Sequence, residues 1–420
     1  MDALTAAEEA GAKVVRAGEH PLRNEMICPE ARKVLARLDA AGFKAYLCGG
    51  GVRDLWLGRN PKDFDVATDA RPEQIKKVCR NTRIIGRRFR LAHVIFGDVI
   101  IETATFRALL DNPPPEAEDV PVPSRRNKDV PDPTFATRGG VIVRDNVYGT
   151  PEEDARRRDF TVNGLFYDYA TGAIIDYVGG LADLEARVLR VIGDPETRFH
   201  EDPVRMVRAV RIAAQLGFEI EAGAAEAIKR MAGELANASR ERMHEEMLKI
   251  FNCGAAERVV KEACDKGVFQ IIYPEFSAWL AEEGEGARAW TDKALKQFDI
   301  WKKNGLKASP GLQYALLFGR WMEEIASVAK GVAPFDAATQ AVWTALRAPQ
   351  QLPMIPKGIL FDAERVMGLQ VQLKKGNPGS TYGQRMRKRR GFVDGLIYLK
   401  FAAGIDSSRK SVLEKWTGGK

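Results

Sequence analysis

The chain has 420 residues, of which 45% are hydrophobic and 29% are charged, and its formal net charge is +7. This length favours roughly two to four domains of an ordinary globular protein. No apolar run reaches the ~20 residues that a membrane-spanning helix needs, and the N-terminus lacks an apolar signal core, so we expect a cytoplasmic protein. The modest positive charge permits a polyanionic partner but does not by itself indicate one.

The cysteines and histidines are scattered along the chain. The five cysteines never form a C-x-x-C pair. This argues against a zinc ribbon and a disulfide framework, and it fits a reducing compartment. None of the four histidines precedes an aspartate, which disfavours a phosphohydrolase that binds its metal through a His-Asp pair.

The predicted elements begin with a mixed α/β pattern. Apolar spacing predicts one helix over Pro29–Gly42 and another over Val52–Leu57, which follows three glycines. The predicted strands are Ala45–Cys48, Asp63–Ala67, Leu91–Phe96 and Val99–Phe106. Only Gly97-Asp98 separates the last two of them, which indicates a tight hairpin with glycine at the first turn position.

Prolines and scattered acids interrupt this pattern over Asn112–Asn146. We predict a long mobile loop there, inside the first domain, because strand-like sequence resumes after it. From Asp202 onward the apolar period is almost entirely helical. The sequence therefore predicts an α/β part of about 175 residues followed by an all-helical remainder.

Two aspartates on one predicted strand are the first candidate catalytic residues. Asp63 and Asp65 lie two residues apart, so both side chains should point to one face. Neighbouring carboxylates repel each other, and Mg²⁺ bound between carboxylates and substrate phosphates relieves that repulsion. The alternative is a pair of exposed acids at the end of a strand.

A glycine turn upstream favours the metal site over that alternative. Backbone N–H groups of Gly49–Gly51, between a strand and a helix, can cradle a phosphate. A tight turn needs glycine in any case, so the turn alone is weak support. Because the carboxylate pair follows closely, we expect Gly49, Gly50 and Arg53 to take part in nucleotide binding.

The predicted hairpin supplies a third carboxylate. With Gly97-Asp98 as the turn, Phe96 pairs with Val99, and Glu102 then lies directly opposite His93. A lone carboxylate in so apolar a strand is costly unless it has a role. We predict that Asp63, Asp65 and Glu102 hold two metal ions for attack of a hydroxyl on an α-phosphate. The alternative for Glu102 is a glutamate at the edge of the sheet. We expect His93 to orient the Glu102 carboxylate through a hydrogen bond, or to contact the RNA; the alternative for His93 is a bond to a loop carbonyl.

Three arginines stand between acids in Asp154–Asn163. Arginine forks match phosphate oxygens, so Arg157 and Arg158 are candidate nucleotide-binding residues. Asp159 and Asn163 can bond ribose hydroxyls. A solvated charge run is the alternative.

An aspartate and two arginines at helical spacing are candidates for recognising the base. Asp202 is a favourable N-cap, Pro203 a favourable first helical residue, and Arg205 and Arg208 follow. An acceptor beside a donor fork matches the amino group and ring nitrogen of adenine or cytosine, and rejects guanine and uracil. A capped helix with salt bridges is the alternative.

A dense cationic run lies near the end of the chain. Arg387, Lys388, Arg389 and Arg390 precede apolar residues at helical spacing. Such a run favours binding to the phosphate backbone of RNA. A solvated basic helix face is the alternative.

Together, these motifs resemble the bacterial branch of the class II nucleotidyltransferases, which contains poly(A) polymerases and tRNA CCA-adding enzymes. The matching segments, within roughly residues 29–250, are LCGGGVRDLWLG with KDFDVATDA, IIETATFR, DARRRDFTVNGLFYD and EDPVRMVRAVR. Gly164 departs from the pattern, which has alanine there. IIGRRFRLAHVIFG (Ile84–Gly97) and the Pro-rich insertion are typical of the polymerases, whereas the ending WTGGK lacks their extended Arg/Pro-rich tail.

The resemblance implies an α+β fold with a polymerase-β-type head on a small mixed or antiparallel sheet of about five strands. It implies an N-terminal extension (1–28), a catalytic head (29–175, mobile loop 112–146), a helical neck (176–260) that recognises base and RNA, and a helical RNA-binding body and tail (261–420). The implied activity is template-independent addition of AMP from ATP to RNA 3′ ends with two Mg²⁺ ions. The metal ligands would be Asp63, Asp65 and Glu102, and the pair that recognises the base would be Asp202 and Arg205.

Two other functions remain open from the sequence. A tRNA CCA-adding, CC-adding or A-adding enzyme would use the same motifs. An RNA-binding regulator with an inactive head is the second alternative, and the intact carboxylates Asp63, Asp65 and Glu102 argue against it.

Overall fold

The computed structural model describes residues 3–86, 90–109, 135–138, 141–145 and 147–418. The chain divides into two compact units, Met1–Arg205 with Gly217–Ala227, and Met206–Leu216 with Ile228–Lys420. The boundary predicted between head and neck, at residues 175 and 176, falls inside the first unit. Within the described ranges, no helix combines the length and apolarity needed to cross a bilayer.

An eight-stranded mixed sheet organises the first unit, with the order β1-β10-β9-β2-β3-β6-β5-β4. Only the β3–β6 pair of this sheet is parallel. The strands are β1 (Lys13–Val15), β2 (Ala45–Cys48), β3 (Asp65–Thr68), β4 (Thr82–Ile85), β5 (Leu91–Phe96), β6 (Val99–Thr105), β9 (Leu165–Asp168) and β10 (Ile174–Asp176). The expectation of about five strands was too low, partly because β1, from the predicted N-terminal extension, forms one edge.

Helices complete the first unit, and two of them continue into the second. The first seven are α1 (Ala3–Glu9), α2 (Pro29–Ala40), α3 (Gly50–Trp56), α4 (Pro72–Val78), α5 (Pro151–Arg157), α6 (Gly180–Ala186) and α7 (Pro195–Glu201). The two shared ones are α8 (Val204–Leu216) and α9 (Ala222–Met231), and a short parallel pair, β11 (Val188–Leu189) and β12 (Glu219–Ile220), lies nearby in sequence.

The predicted helix at Pro29 is confirmed as α2. Pro29 occupies the first turn, and the thiol of Cys28 accepts a hydrogen bond from the Ala31 N–H. Val34, Leu35 and Leu38 are buried on one face, as the apolar spacing predicted. The helix ends at Ala40, two residues before the predicted end.

The hairpin of β5 and β6 is also confirmed. Gly97 has a φ of 58°, a left-handed conformation that glycine adopts at little cost. Phe96 pairs with Val99, and His93 pairs with Glu102. The turn therefore fixes the register that places Glu102.

Two sequence predictions need correction. Strand β3 begins at Asp65, so Asp63 lies ahead of the strand and the two aspartates do not share one strand face. The segment Asn112–Asn146 is not loop throughout, because β7 (Phe135–Arg138) and β8 (Val141–Asp145) form an antiparallel hairpin within it. Its other residues, 112–134, 139–140 and 146, lie outside the described ones.

The second unit is helical in its described residues, as the sequence predicted. Its core includes Tyr314 and Phe318, whose rings stack 6.2 Å apart, and the Trp290 indole N–H donates to the Leu316 carbonyl over 2.7 Å. Its helices are α10 (Arg240–Phe251), α11 (Ala256–Asp265), α12 (Val268–Ile272), α13 (Pro274–Glu283), α14 (Glu285–Lys303), α15 (Pro310–Ser327), α16 (Pro334–Leu346), α17 (Lys357–Lys375), α18 (Thr381–Arg387), α19 (Phe392–Ala403) and α20 (Lys410–Thr417).

A buried glutamate links α8 to α10 inside this unit. Glu246 accepts from Arg211 Nε at 2.9 Å and from Lys249 Nζ at 2.7 Å, and Arg208 Nη1 lies 3.3 Å away. Burial opposes its charge, but Arg211, Arg208 and Lys249 outweigh that effect and lower the pKa of Glu246 to about 2.

We expect Glu246→Gln to lower the free energy of unfolding at pH 7 by about 3 kcal/mol, because it leaves buried cations unpaired. Since the folded pKa is lowered, this contribution is present above about pH 4.5 and is lost as the pH falls towards 2. Urea unfolding at pH 7 and pH 3 measures both effects. The exposed neighbour Glu245 provides the control Glu245→Gln. Equal stability of the two variants at pH 7 would contradict this role.

Candidate active site

Two of the three predicted carboxylates lie side by side in the sheet. The parallel register pairs Val66 of β3 with Thr103 of β6, so Asp65 and Glu102, one residue earlier on each strand, are neighbours. The Glu102 side chain is 52% exposed and therefore accessible to solvent and ligands. Asp63 precedes the strand, is 72% exposed, and lies 3.9 Å from Lys62 Nζ.

The pKa of Asp65 is raised by its surroundings. Burial raises the pKa of the Asp65 carboxyl, and together with the charges of Glu102 and Asp63 it brings that pKa to about 6. The Arg158 guanidinium opposes them by lowering it. The site therefore carries negative charge that the nearby cation offsets only in part.

This donor set suits a hard divalent cation. Carboxylate oxygens are the ligands that Mg²⁺ prefers, and a bound cation would remove the repulsion that raises the pKa of Asp65. Among the described side chains, no three Asp, Glu, His or Cys groups are close enough together to hold a metal ion as they stand. Asp65 and Glu102 are adjacent, and Asp63 is the outlying member.

The glycine turn follows β2 and starts α3. Gly49 has a φ of 70° and a ψ of −140°, which a residue with a side chain rarely adopts. A Cβ atom on Gly49 would lie 3.2 Å from Arg158 Nη1, and one on Gly50 would lie 3.3 Å from Arg53 Nη2. The missing side chains therefore let two guanidinium groups approach the backbone of the turn closely.

Those two guanidinium groups are held by the protein itself. Arg53 donates to Asp54 Oδ1 at 2.8 Å and to Asn163 Oδ1 at 2.7 Å. Asn163 in turn donates to Asp159 Oδ1 at 3.0 Å. Arg53 and Asn163 are buried, so in this structure they connect the glycine turn to Asp159 and fix its position.

Arg158 is anchored in a similar way. Its Nη2 donates to Asp154 Oδ2 at 2.8 Å, and its guanidinium carbon lies 5.0 Å from the centroid of the Phe166 ring. The structure therefore places Arg158 behind the glycine turn and electrostatically close to Asp65. Its predicted contact with nucleotide stays a prediction.

A cluster of arginines extends from this turn, and it includes two that the sequence prediction omitted, Arg107 and Arg198. Burial, together with the charges of Arg107, Arg198 and Arg205, lowers the pKa of Arg157 to about 9. Burial also lowers the pKa values of Arg107 and Arg198 to about 10. Several cations partly withdrawn from water favour a bound anion. The sequence signal for Arg107 was its place at the end of IIETATFR.

The cluster is connected through backbone carbonyls. Arg157 Nη1 donates to the Ala108 carbonyl at 2.7 Å. Arg198 Nη2 donates to the carbonyls of Arg157 and Arg158 at 2.5 and 2.9 Å, and its Nη1 pairs with Glu201 at 2.7 Å. Arg198 therefore holds the end of α5 in place.

The predicted base-recognition pair lies where α7 meets α8. Helix α8 begins at Val204, so Asp202 is in the junction and Pro203 is not the first helical residue. Asp202 is buried. Arg205 Nη1 donates to Glu201 Oε2 and to the Arg198 carbonyl, both at 2.9 Å. The role of these two residues in base recognition stays a prediction.

Arg208, the other arginine predicted on this helix, falls in the second unit. There its Nη1 lies 3.3 Å from Glu246 Oε1. The ion pair gives Arg208 a structural role, and its predicted part in nucleotide binding stays a prediction.

His93 lies opposite Glu102, as the hairpin register predicted. Its Nε2 is 3.6 Å from Glu102 Oε1, slightly beyond hydrogen-bond distance. Within the described part of the chain, this buried nitrogen has no hydrogen-bond partner. A small movement of either side chain would close the bond.

The cationic run lies at the end of α18 in the second unit, with all four residues exposed. The Arg387 guanidinium lies 5.7 Å from the Trp416 ring centroid, and that of Arg389 lies 5.6 Å from the Tyr382 ring centroid. Arg390 lies 3.3 Å from Asp362 Oδ1. Within the described residues, Lys388 has no side-chain partner. The three arginines therefore have partners within the protein, whereas Lys388 is available to a ligand.

Comparison with known proteins places these features in a family. A family model described as "Poly A polymerase head domain" matches residues 45–190, and one described as "Probable RNA and SrmB- binding site of polymerase A" matches residues 217–280. The chain is 39% identical to poly(A) polymerase I of Escherichia coli O157:H7 over 381 residues, 88% of this chain and 78% of that protein. The chain belongs to the poly(A) polymerase family. It is a nucleotidyltransferase.

Other members of the family give the same picture. Poly(A) polymerase I of Haemophilus influenzae is 36% identical, with 96% of this chain and 86% of that protein covered. A CCA-adding enzyme of Bacillus licheniformis is also 36% identical, but over 65% of this chain and 62% of that protein. The crystal structure of Bacillus stearothermophilus CCA-adding enzyme in complex with CTP superposes with a TM-score of 0.59 at 25% identity, covering 93% and 82% of the two chains.

The structure accounts for the one departure from the family pattern that the motifs showed. A Cβ atom on Gly164 would lie 2.5 Å from Cγ2 of Val178. Alanine at this position would therefore require Val178 to move. Gly164 ends a short 3₁₀ turn, Thr161–Asn163, and the exchange leaves the proposed nucleotide contacts untouched.

We expect Asp65→Asn to make the metal-free protein more stable at pH 8. Asp65 has a pKa of about 6 when folded and one near 4 when unfolded. Its raised folded pKa means that its ionisation costs stability as the pH rises from about 4 through 6. Removing the charge should restore about 1–3 kcal/mol above that range.

Urea unfolding in EDTA at pH 8 and pH 4 tests this prediction. The exposed Asp63 gives the control, since Asp63→Asn should change stability less at either pH. A gain from Asp65→Asn that is equal at pH 4 and pH 8, or no gain at pH 8, would contradict the proposed repulsion.

Proposed function

We propose that the chain is a template-independent polynucleotide adenylyltransferase, which adds AMP from ATP to the 3′ ends of RNA, including mRNA. The main support is the match to poly(A) polymerases I along 88% of the chain or more. The adjacent carboxylates of β3 and β6 and the arginine cluster supply the chemistry that this activity needs.

Asp65, Glu102 and Asp63 are the proposed ligands of two Mg²⁺ ions. Held there, the ions would supply Lewis acidity that lowers the pKa of the RNA 3′-hydroxyl and offsets charge on the α-phosphate. The hydroxyl oxygen forms a bond to the α-phosphorus while the bond to the bridging oxygen of the β-phosphate breaks, and pyrophosphate leaves. The sheet supports this step by holding Asp65 and Glu102 on neighbouring strands.

The arginines and the glycine turn would position the triphosphate. Arg107, Arg157 and Arg198 supply concentrated positive charge, and the backbone of Gly49 and Gly50 can approach phosphate closely. Hydrogen bonds within the protein fix the position of the glycine turn, and they are made by Arg53, Arg158 and Asn163. Asp159, which Asn163 orients, remains the candidate for a ribose contact.

Base selection is assigned to Asp202 and Arg205. Adenine presents an amino donor beside a ring acceptor, which matches a carboxylate beside an arginine fork. Arg205 uses only Nη1 for its bonds within the described protein, so its other donors are available to the base. Cytosine has the same donor–acceptor order, which explains how related enzymes can use either nucleotide.

RNA binding is assigned to the second unit. Residues 217–280 match the RNA-binding family model, and 228–280 of them belong to the second unit. Arg387, Lys388, Arg389 and Arg390 add an exposed cationic run. Phosphate contacts of this kind bind RNA of any sequence.

CCA addition to tRNA is the second candidate. The Bacillus stearothermophilus CCA-adding enzyme aligns with 93% of the chain, which favours a shared architecture. Curated CCA-adding relatives, however, cover less of the chain than poly(A) polymerases do. Polyadenylation is therefore the better-supported function.

We expect the purified chain with Mg²⁺ to extend an unstructured RNA primer by many residues with ATP, weakly with CTP, and hardly with GTP or UTP. A gel of products with each nucleotide measures this, and Glu102→Ala serves as the inactive control. A chain that acted only on tRNA lacking its 3′ end, and stopped after CCA or A, would establish the second candidate instead.

We propose that His93 positions Glu102 and does not itself contact the substrate. An imidazole hydrogen bond would orient the carboxylate, as outer groups commonly do for metal ligands. His93→Ala should then raise the Mg²⁺ concentration for half-maximal rate and leave the preference for ATP unchanged. Arg83, paired with His93 on its other side, gives the control Arg83→Ala. An unchanged Mg²⁺ requirement with weaker primer binding would favour an RNA contact.

A further inference from the structure

A surface cavity of about 460 Å³ lies between α16, the end of α17 and the start of α18 in the second unit. Phe335, Val371, Gln372, Lys375, Asn377 and Tyr382 are among its lining residues. The cavity lies outside residues 217–280, which match the RNA-binding family model. Its volume is in the range of small-molecule sites, ~300–1,000 Å³.

Two aromatic rings in the cavity are unusually open to solvent. Phe335 is 41% exposed and Tyr382 is 46% exposed. A Cβ atom on Gly368 of α17 would lie 2.7 Å from Phe335 Cε2, so the glycine allows this ring to pack against the helix. The Arg389 guanidinium lies 5.6 Å from the Tyr382 ring centroid. Both rings are therefore supported on one side while part of each surface stays accessible.

The side-chain amides of Asn377 and Gln372 are oriented by hydrogen bonds to their oxygens, and their NH₂ groups remain available as donors. The Gly379 N–H donates to Asn377 Oδ1 at 3.0 Å, which orients the amide and leaves its NH₂ group without a partner among the described residues. Gln372 Oε1 accepts from Arg389 at 3.4 Å, and its NH₂ group is likewise unpaired within those residues. Unpaired donors beside exposed rings match the acceptor-rich edges of nucleic-acid bases.

The charge around the cavity is positive. Lys375 lines it, and within the described chain its ammonium group has no ion pair or hydrogen bond. Arg389, a residue of the cationic run, contacts two lining residues of the cavity, the Tyr382 ring and Gln372. No acidic residue belongs to the lining that the structure describes. An occupant with a negative group is therefore favoured over a neutral apolar one.

We propose that this cavity binds one nucleotide of single-stranded RNA, with the base on Phe335 and Tyr382 and the adjoining phosphates on Lys375 and Arg389. Aromatic stacking accepts every base and is a common mode of binding single strands. The proposal rests on the proposed function, in which RNA is the substrate. It adds a contact to the strand that residues of the second unit supply.

Binding of a fluorescein-labelled oligoadenylate to the full-length chain, without ATP or Mg²⁺, tests the proposal. Anisotropy titrations at several salt concentrations give Kd and its salt dependence. Phe335→Ala and Tyr382→Ala should each weaken binding about fivefold or more with an unchanged salt slope, because stacking is lost and no phosphate contact is. Lys375→Ser should flatten the log–log slope by about 0.7.

Three controls make the result specific. Tyr382→Phe keeps the ring and should bind as the unaltered chain does. Ile300→Ala removes an apolar side chain that is 50% exposed in the same unit, and should have no effect. Double-stranded RNA, whose bases are already stacked, should bind both alanine variants normally. Tyr382 lies on the surface, so its variants remain informative even if Phe335→Ala unfolds the chain.

Unchanged oligoadenylate affinity in Tyr382→Ala, or an equal loss for double-stranded RNA, would overturn the proposal. A protein or apolar ligand in the cavity would give the first of these results. Primer extension with ATP and Mg²⁺ is measured separately on the unaltered chain. Failure of that reaction would count against the proposed function alone, because the binding assay requires no transfer.

Discussion

The repulsion between Asp65 and Glu102 is the constraint on which the site depends. One parallel strand pair in an otherwise antiparallel sheet sets these carboxylates side by side, and a tight hairpin fixes the second of them. The fold tolerates this because Arg158 lies close and is itself held by Asp154 and Phe166. Arg158 offsets the negative charge only in part, which is consistent with the proposed binding of cations at this position.

The arginine cluster concentrates charge of the opposite sign. Arg107, Arg157 and Arg198 are partly withdrawn from water, and burial and neighbouring arginines lower their pKa values more than nearby carboxylates raise them. Under the proposed function, a nucleoside triphosphate with its metal would carry both kinds of charge, so one ligand would offset both unfavourable interactions. This complementarity explains why the unit stores unfavourable electrostatics on each side of the glycine turn, and why stability and substrate affinity should oppose each other there.

Local pattern was sufficient to predict β5 and the Glu102–His93 register, because a two-residue turn and a period of two determine them. A short apolar run was sufficient to predict β2, which is buried throughout. Local pattern failed for Asp63, because β3 begins at Asp65, two residues later than the predicted strand, and Asp63 lies ahead of it. It also missed Arg198 and the cavity at Phe335 and Tyr382. These features arise from packing between distant segments, and no spacing within one segment reports such contacts. Sequence similarly gave no reason for Gly164, which depends on Val178, a residue of another turn.

Selection of a base without a template requires a rigid protein surface, and the contacts of Arg205 supply part of that rigidity. Its Nη1 is fixed by Glu201 and by the Arg198 carbonyl, while Arg198 donates to the carbonyls of Arg157 and Arg158. The proposed base contact and the phosphate-binding arginines are thus joined by a short chain of direct hydrogen bonds. A base that pairs poorly with Arg205 would disturb this chain and so misplace the triphosphate. Discrimination would then appear in the rate of transfer as well as in binding, since the α-phosphate must lie close to the attacking hydroxyl for reaction.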